Sequence, residues 1–254
     1  MDDKLASVVK KLRSIRTKED LVAPKSKILK NELPDGSPLT LRKYQIQGIL
    51  HLIAMPRFVL GDDTGLGKTL QVIASLSYVW DRKPDKPAII LTTKSAVGQW
   101  ESEFEKFTEG VKVFRCVGTK KNRQKIYDAF FEYDESPKAI IMGYRTAVAD
   151  FDILQPITNQ IMVFDEATAF KNDRSQVHQV CKHLAGASDK VWSLSATIIK
   201  NRLMEAWAIY KVTVPHLFTT KTAFMRDFCI TRDQQIAGGR RRIKIVVGHR
   251  KHDI

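Results

Sequence analysis

Six short, β-branched apolar runs punctuate the chain: RFVLG at 57–61, AIILT at 88–92, VKVFRCV at 111–117, KAIIM at 138–142, QIMVF at 160–164 and KVWSL at 190–194. Runs this continuously apolar belong to strands buried on both faces, which is the environment of a parallel sheet. Longer amphipathic stretches lie between them, at 43–55, 67–80, 96–107, 120–133, 173–185 and 201–213, and read as helices. Strand and helix in alternation demand right-handed crossovers. The expectation is an α/β fold, a mostly parallel sheet with helices on both faces. With 254 residues the chain can bury a core without disulfides or metal. Its three cysteines, Cys116, Cys181 and Cys229, are far apart and odd in number, as structural thiols in a reducing compartment are.

The flanks differ from this middle. Residues 1–36 are polar and Lys-rich, end in LPDGSP, and read as a basic arm; 37–230 form the layered unit; 231–254 form a basic tail. From Lys221 onward the pattern is a helix followed by either a hairpin or a tail. Lys and Arg number 42 against 28 for Asp and Glu, a formal net charge of +14, which favours a polyanionic partner: nucleic acid or an anionic membrane. No apolar run reaches the ~20 residues that span a bilayer, and the N-terminus lacks a signal-peptide core. An intracellular protein without membrane insertion is expected.

DDTGLGKT follows the first apolar run and opens a helix. Backbone amides freed by Gly65 and Gly67, aimed along a helix N-terminus, suit phosphate oxygens. Asp62, Asp63, Thr64, Gly65, Leu66, Gly67, Lys68 and Thr69 are therefore the nucleotide-binding candidates, with Lys68 reaching the β and γ phosphates and the Thr69 hydroxyl ligating Mg²⁺. Asp62 stands where the general pattern has glycine. A second run, QIMVF, ends in Asp165 and Glu166, which a parallel sheet delivers to its carboxyl edge beside that loop. Asp165 can hold the metal through water, and Glu166 can orient and deprotonate an attacking water. A third run ends in Ser195, Ala196 and Thr197, whose hydroxyls can reach toward the acidic pair and couple it to neighbouring surfaces.

In this order and context the three segments resemble motifs I, II and III of superfamily 2 helicases and translocases, and in detail the Swi/Snf-type branch, which has an acid at the position of Asp62. Motif II continues to Lys171 and Asn172 as that branch does, with Thr168 in place of histidine. LRKYQIQGI, through Leu41, Arg42, Tyr44, Gln45 and Gly48, is similar to the adenine-recognising segment upstream of motif I. LTTKSAVGQWESEFEKF, with Trp100, Glu103, Phe104 and Phe107, resembles motif Ia, although Lys94 replaces proline. IMGYRTA resembles motif Ib through Tyr144. Asn201, Leu203, Glu205, Trp207, Pro215 and Phe218 keep the branch's spacing, while Ala196 replaces glycine and Ile198 proline.

The resemblance, spanning Leu41 to about Phe228, implies a RecA-like P-loop NTPase lobe that binds ATP and Mg²⁺, with Arg42 and Gln45 at the adenine and Lys68, Asp165 and Glu166 as catalytic residues. It implies nucleic-acid contacts from Lys94, Ser95, Tyr144, Arg145, Lys171 and Asn172, and a coupling role for Ser195 and Thr197. The activity implied is ATP hydrolysis coupled to translocation on double-stranded DNA. A strand-separating DNA or RNA helicase and a catalytically silent nucleic-acid scaffold are the alternatives. Such motors place nucleotide between two lobes, the second supplying arginine fingers; the stretch after Phe228 is too short for another sheet, so the chain reads as the first lobe of a monomeric motor. Its compactness favours the cytoplasm of a bacterium or virus-infected cell over a nucleus.

Three smaller constellations carry blander readings. KKNRQK at 120–125 is the exposed start of a helix. His178, Cys181 and His183 lie near one another, but only the first two share a helix face, so they do not form a metal site. Trp192, Trp207 and Phe218 belong to apolar elements and read as core rather than as platforms for bases.

Overall fold

The computed structural model describes residues 22–199, 203–217, 220–235 and 242–249. Six strands, β1 (Arg57–Leu60), β2 (Ala88–Thr92), β3 (Lys112–Cys116), β4 (Lys138–Gly143), β5 (Ile161–Phe164) and β6 (Lys190–Leu194), form one sheet in the order β1-β6-β5-β2-β4-β3. Every neighbouring pair is parallel. The two edge strands are the least covered, whereas β2 and β5 are buried along their whole length. That is why the central runs are uninterrupted Ile, Leu, Val and Met, while β3 alternates as KVFRC.

Helices α1 (Lys43–Ala54), α2 (Lys68–Trp80), α3 (Val97–Phe107), α4 (Lys120–Glu132), α5 (Tyr144–Ala149), α6 (Phe151–Leu154), α7 (Gln176–Gly186) and α8 (Leu203–Thr213) cover both faces. The alternation of strand side chains shows how. Ile89, Leu91, Ile140, Met142, Met162 and Phe164 face one core with Tyr127 and Phe130 of α4, Leu184 of α7 and Ile209 of α8. Ile90, Ile141, Ile161, Val163, Trp192 and Leu194 face the other with Leu52 of α1, Ile73 and Leu76 of α2 and Trp100 of α3. Each such side chain, removed from water, stabilises the sheet by roughly 1.5–3 kcal/mol.

The helix expectations hold to within a few residues, and the departures have local causes. Helix α7 starts at Gln176 rather than 173 because the Asn172 carboxamide accepts the Arg174 amide in a turn and Ser175 then caps the helix by accepting the His178 amide. The short α5 and α6 escape a periodicity reading because they are less than two turns long. After α9 (Lys221–Phe228), β7 (Cys229–Gln235) and β8 (Arg242–His249) pair antiparallel, so the hairpin is the correct alternative for this stretch. The end of the basic arm lies against the sheet's helices: the Lys30 amide donates to Phe107 O, the Glu109 amide to Ile28 O, and Ile28, Leu29 and Leu33 pack on the second core.

All three cysteines are buried free thiols, and Trp192 and Trp207 are buried in core; Phe218 lies outside the described residues. His178 is held by its Nδ1 contact with Phe170 O, and His183 packs edge-on against Phe151. Among the described residues no helix is long and apolar enough to cross a membrane.

Candidate nucleotide site and nucleic-acid edge

Because all six strands run in one direction, the segments leaving them share one rim. The register makes this concrete: the Asp165 amide donates to Leu91 O at 2.8 Å and the Ser195 amide to Leu60 O at 3.1 Å, so motifs II and III start level with the ends of β2 and β1. The phosphate loop leaves β1 and the acidic pair leaves β5, on either side of β6.

The loop bends through Gly65 (φ 79°) and Gly67 (φ 72°), left-handed conformations that residues with a Cβ adopt at a cost. Gly67 is also the N-cap of α2, so the loop's amides and the helix N-terminus face the same space. Lys68 Nζ curls over the loop and donates to Asp62 O (2.8 Å) and Asp63 O (3.0 Å). Asp62 has a structural reason of its own: its Oδ2 accepts Gln71 Nε2 at 2.8 Å. Gln71 also donates to Leu66 O, as does Gln45 Nε2, so two carboxamides hold one carbonyl of the loop. Gly48 belongs to this arrangement, since a Cβ there would stand 1.9 Å from Gln71 Oε1. Gln71 was not foreseen from the sequence; its signal is the i, i+3 spacing from Lys68, which puts both on one side of α2's first turn.

Gln45, expected at an adenine edge, lies beside the phosphate loop. Its Oε1 accepts the Arg42 amide (2.9 Å) in the capping box of α1, and its Nε2 faces Leu66 O, so both ends of the carboxamide are engaged inside the protein. Arg42 is the N-cap residue of that helix.

Asp165 is the most closely held of the candidates. Its Oδ2 accepts both Thr92 Oγ1 and Trp100 Nε1 at 2.8 Å, and its carbonyl accepts Tyr144 Oη at 2.7 Å. Burial pushes the Tyr144 phenol well above its ordinary range, with Cys181, Asp165 and Glu166 adding to the shift, so it remains a neutral donor. Glu166 is left-handed without being glycine (φ 53°, ψ 57°) and starts the 3₁₀ turn Ala167–Phe170. Such backbone costs about 1 kcal/mol or more and persists where surrounding packing over-determines it. Here Phe170, fully buried against Tyr144, Phe164 and His178, supplies that packing. Magnesium prefers oxygen ligands. The Thr69 hydroxyl at the start of α2 and Asp165 Oδ1, which accepts no hydrogen bond among the described residues, are a donor set of that kind.

Of the nucleic-acid candidates, Lys94, Ser95, Arg145 and Asn172 are exposed, the first three directly after β2 and β4 on the same rim. Two others have partners within the chain. Tyr144 is 6 % exposed and its hydroxyl is committed to Asp165. Lys171 pairs with Glu205 of α8 at 3.0 Å, tying the exit of motif II to the helix after motif III. Asp173 pairs with Lys221 of α9 at 2.7 Å in the same region. The coupling candidates also act locally: Ser195, fully buried, accepts the Thr197 amide at 3.2 Å rather than reaching the acidic pair, and Thr197 is exposed.

A family model described as the SNF2-related domain matches residues 44–248. An ATP-dependent helicase of Mycoplasma genitalium is 31 % identical over 193 residues, covering 74 % of this chain and 18 % of the relative. The ISWI chromatin-remodeling complex ATPase ISW2 of Saccharomyces cerevisiae is 30 % identical, covering 72 % of this chain and 17 % of the relative. The chain thus spans under a fifth of the length of these relatives. A solved structure, the Sulfolobus solfataricus SWI2/SNF2 ATPase core in complex with dsDNA, superposes with a TM-score of 0.66 at 26 % identity, covering 82 % of this chain and 41 % of that one. Matched by that family model over residues 44–248, the chain belongs to the SNF2-related domain family.

Proposed function

We propose that this chain is the nucleotide-binding lobe of an ATP-driven motor that translocates on double-stranded DNA. The observation that carries the reading is the placement of Lys68 and Thr69 after β1 and of Asp165 and Glu166 after β5, flanking β6 on one rim of a parallel sheet. Loop amides and Lys68 bind the phosphates, Thr69 and Asp165 hold magnesium, which neutralises phosphate charge when bound, and Glu166 orients the attacking water. Gln45 and Gln71 keep the loop in shape.

Duplex DNA as the track is supported by two things: the solved dsDNA complex of a similar core, and the order of the rim. The nucleotide segments follow β1, β6 and β5, while the exposed Lys94, Arg145, Lys120 and Lys121 follow β2, β4 and β3. That second half of the rim suits a phosphate backbone, which is bound without sequence preference. Hydrolysis at full rate requires an arginine finger from a second lobe, an effect of roughly 10³ to 10⁵ in related phosphoryl-transfer enzymes.

The test is ATP turnover of the full-length protein with and without duplex DNA, alongside Lys68→Ala and Glu166→Gln. Stimulation by duplex, its loss in Lys68→Ala, and retained nucleotide binding with slowed hydrolysis in Glu166→Gln are expected. Equal turnover with and without DNA would remove the motor reading, and separation of strands on tailed duplexes would favour a helicase instead.

A further inference from the structure

Asp165 Oδ2 is held from two points of one segment: Thr92, the last residue of β2, and Trp100, on the second turn of α3. Between them lies the exposed turn of Lys94 and Ser95. The indole nitrogens of Trp192 and Trp207, also buried, have no hydrogen-bond partner among the described residues, so burial in this molecule does not by itself bring an indole N–H to an acceptor. Trp100, 1 % exposed and able only to donate, faces a carboxylate at 2.8 Å.

We propose that Trp100 is a positioning residue for the metal-holding carboxylate: by fixing Oδ2 it presents Oδ1 of Asp165 in one orientation, and it joins the segment carrying Lys94 and Ser95 to the nucleotide site. The inference rests on the reading of Asp165 as a magnesium-holding acid. Groups that orient metal-binding side chains in this manner typically change metal affinity 10- to 100-fold when removed.

The chain is titrated with a fluorescent ATP analogue in EDTA and over a magnesium series. Trp100→Phe, which keeps the apolar bulk against Phe104, leaves binding in EDTA within about twofold and raises the magnesium midpoint roughly tenfold or more. Asp165→Asn raises the midpoint too, and the double variant resembles it. A shifted midpoint in Asp165→Asn with none in Trp100→Phe would overturn the role of Trp100 alone. No shift in Asp165→Asn would overturn the reading of Asp165 beneath it. Should Trp100→Phe fail to fold, the wild-type chain labelled with 5-fluorotryptophan answers the question. The chain has 4 tryptophans, and the Trp100 resonance is identified by replacing the other three in turn. It is expected to move when magnesium is added to the nucleotide-bound chain, and a stationary resonance would overturn the proposal.

Discussion

Asp150, 4 % exposed, accepts Nε and Nη2 of Arg123 at 2.6 and 2.7 Å, a two-point pairing that joins α4 to the end of α5. Tyr127 Oη adds a third donor at 3.2 Å, and Arg123 Nη1 reaches Gly118 O. Arg123 falls inside the run KKNRQK, so a charge that reads as solvated surface is in fact partly buried and tied to a buried carboxylate. Breaking a buried pair strands the remaining charge. Arg123→Met is therefore expected to lower the unfolding free energy by about 3 kcal/mol, and Arg123→Met with Asp150→Asn to recover much of it, measured by urea denaturation. Additive losses in the pair of variants would contradict this account.

Gln71 is fully buried, donates to Asp62 and Leu66, and leaves its Oε1 without a partner among the described residues. Gln71→Leu removes an unsatisfied oxygen from the core but frees the phosphate loop. Melting should stay level or improve, while nucleotide affinity falls about tenfold, the worth of one good hydrogen bond. Gly48→Ala, which displaces the same carboxamide, should weaken nucleotide binding similarly and add little when combined with Gln71→Leu.

Two bases, the buried His178 and the partly buried Lys190, shape the pH dependence of stability in separate windows. Burial lowers the His178 imidazole, opposed by its contact with Phe170 O and by Asp173. The unfolded chain then binds more protons below the ordinary histidine value of about 6.5, so stability falls as pH drops from there toward the folded value. Burial, aided by Lys83, likewise lowers Lys190 to about 8, while its ammonium donates to Ile53 O and Met55 O. Between about 8 and the ordinary lysine value near 10.4 the unfolded state again holds more protons, and stability rises with pH. Chemical denaturation across pH should show the lower slope vanish in His178→Gln and the upper one in Lys190→Met.

Exposure separates the basic residues that can meet phosphates from those that cannot. Replacing Lys94, Lys120, Lys121 or Arg145 by Ala should each reduce the slope of log affinity for duplex DNA against log salt by about one or less. Lys171→Ala should leave that slope unchanged, because its ammonium is paired with Glu205. Fluorescence anisotropy over a salt series distinguishes them.

Much of this was legible in the residues themselves. Period and β-branching locate all six strands of the sheet, because strands buried on both faces need uninterrupted apolar runs. The phosphate loop and the acidic pair follow from strand ends, since a parallel sheet delivers them to one rim. Individual hydrogen-bond partners did not follow. Tyr144 and Lys171 carry the residue types of a nucleic-acid contact, yet tertiary proximity, to Asp165 and Glu205, decides their use. Ser195 and Gln45 likewise satisfy nearby backbone groups, because a buried polar atom takes the closest partner that folding offers.

The uniform direction of the six strands also leaves a second rim, from which the chain enters each strand. There the turn of Asp134, Glu135 and Ser136, between α4 and β4, is exposed and lies at the opposite end of the sheet from the phosphate loop, the acidic pair and the exposed Lys94 and Arg145. A dye, an affinity tag or an inserted domain grafted at that turn would leave the rim of the phosphate loop and the acidic pair undisturbed, which makes it the natural handle for following nucleotide binding.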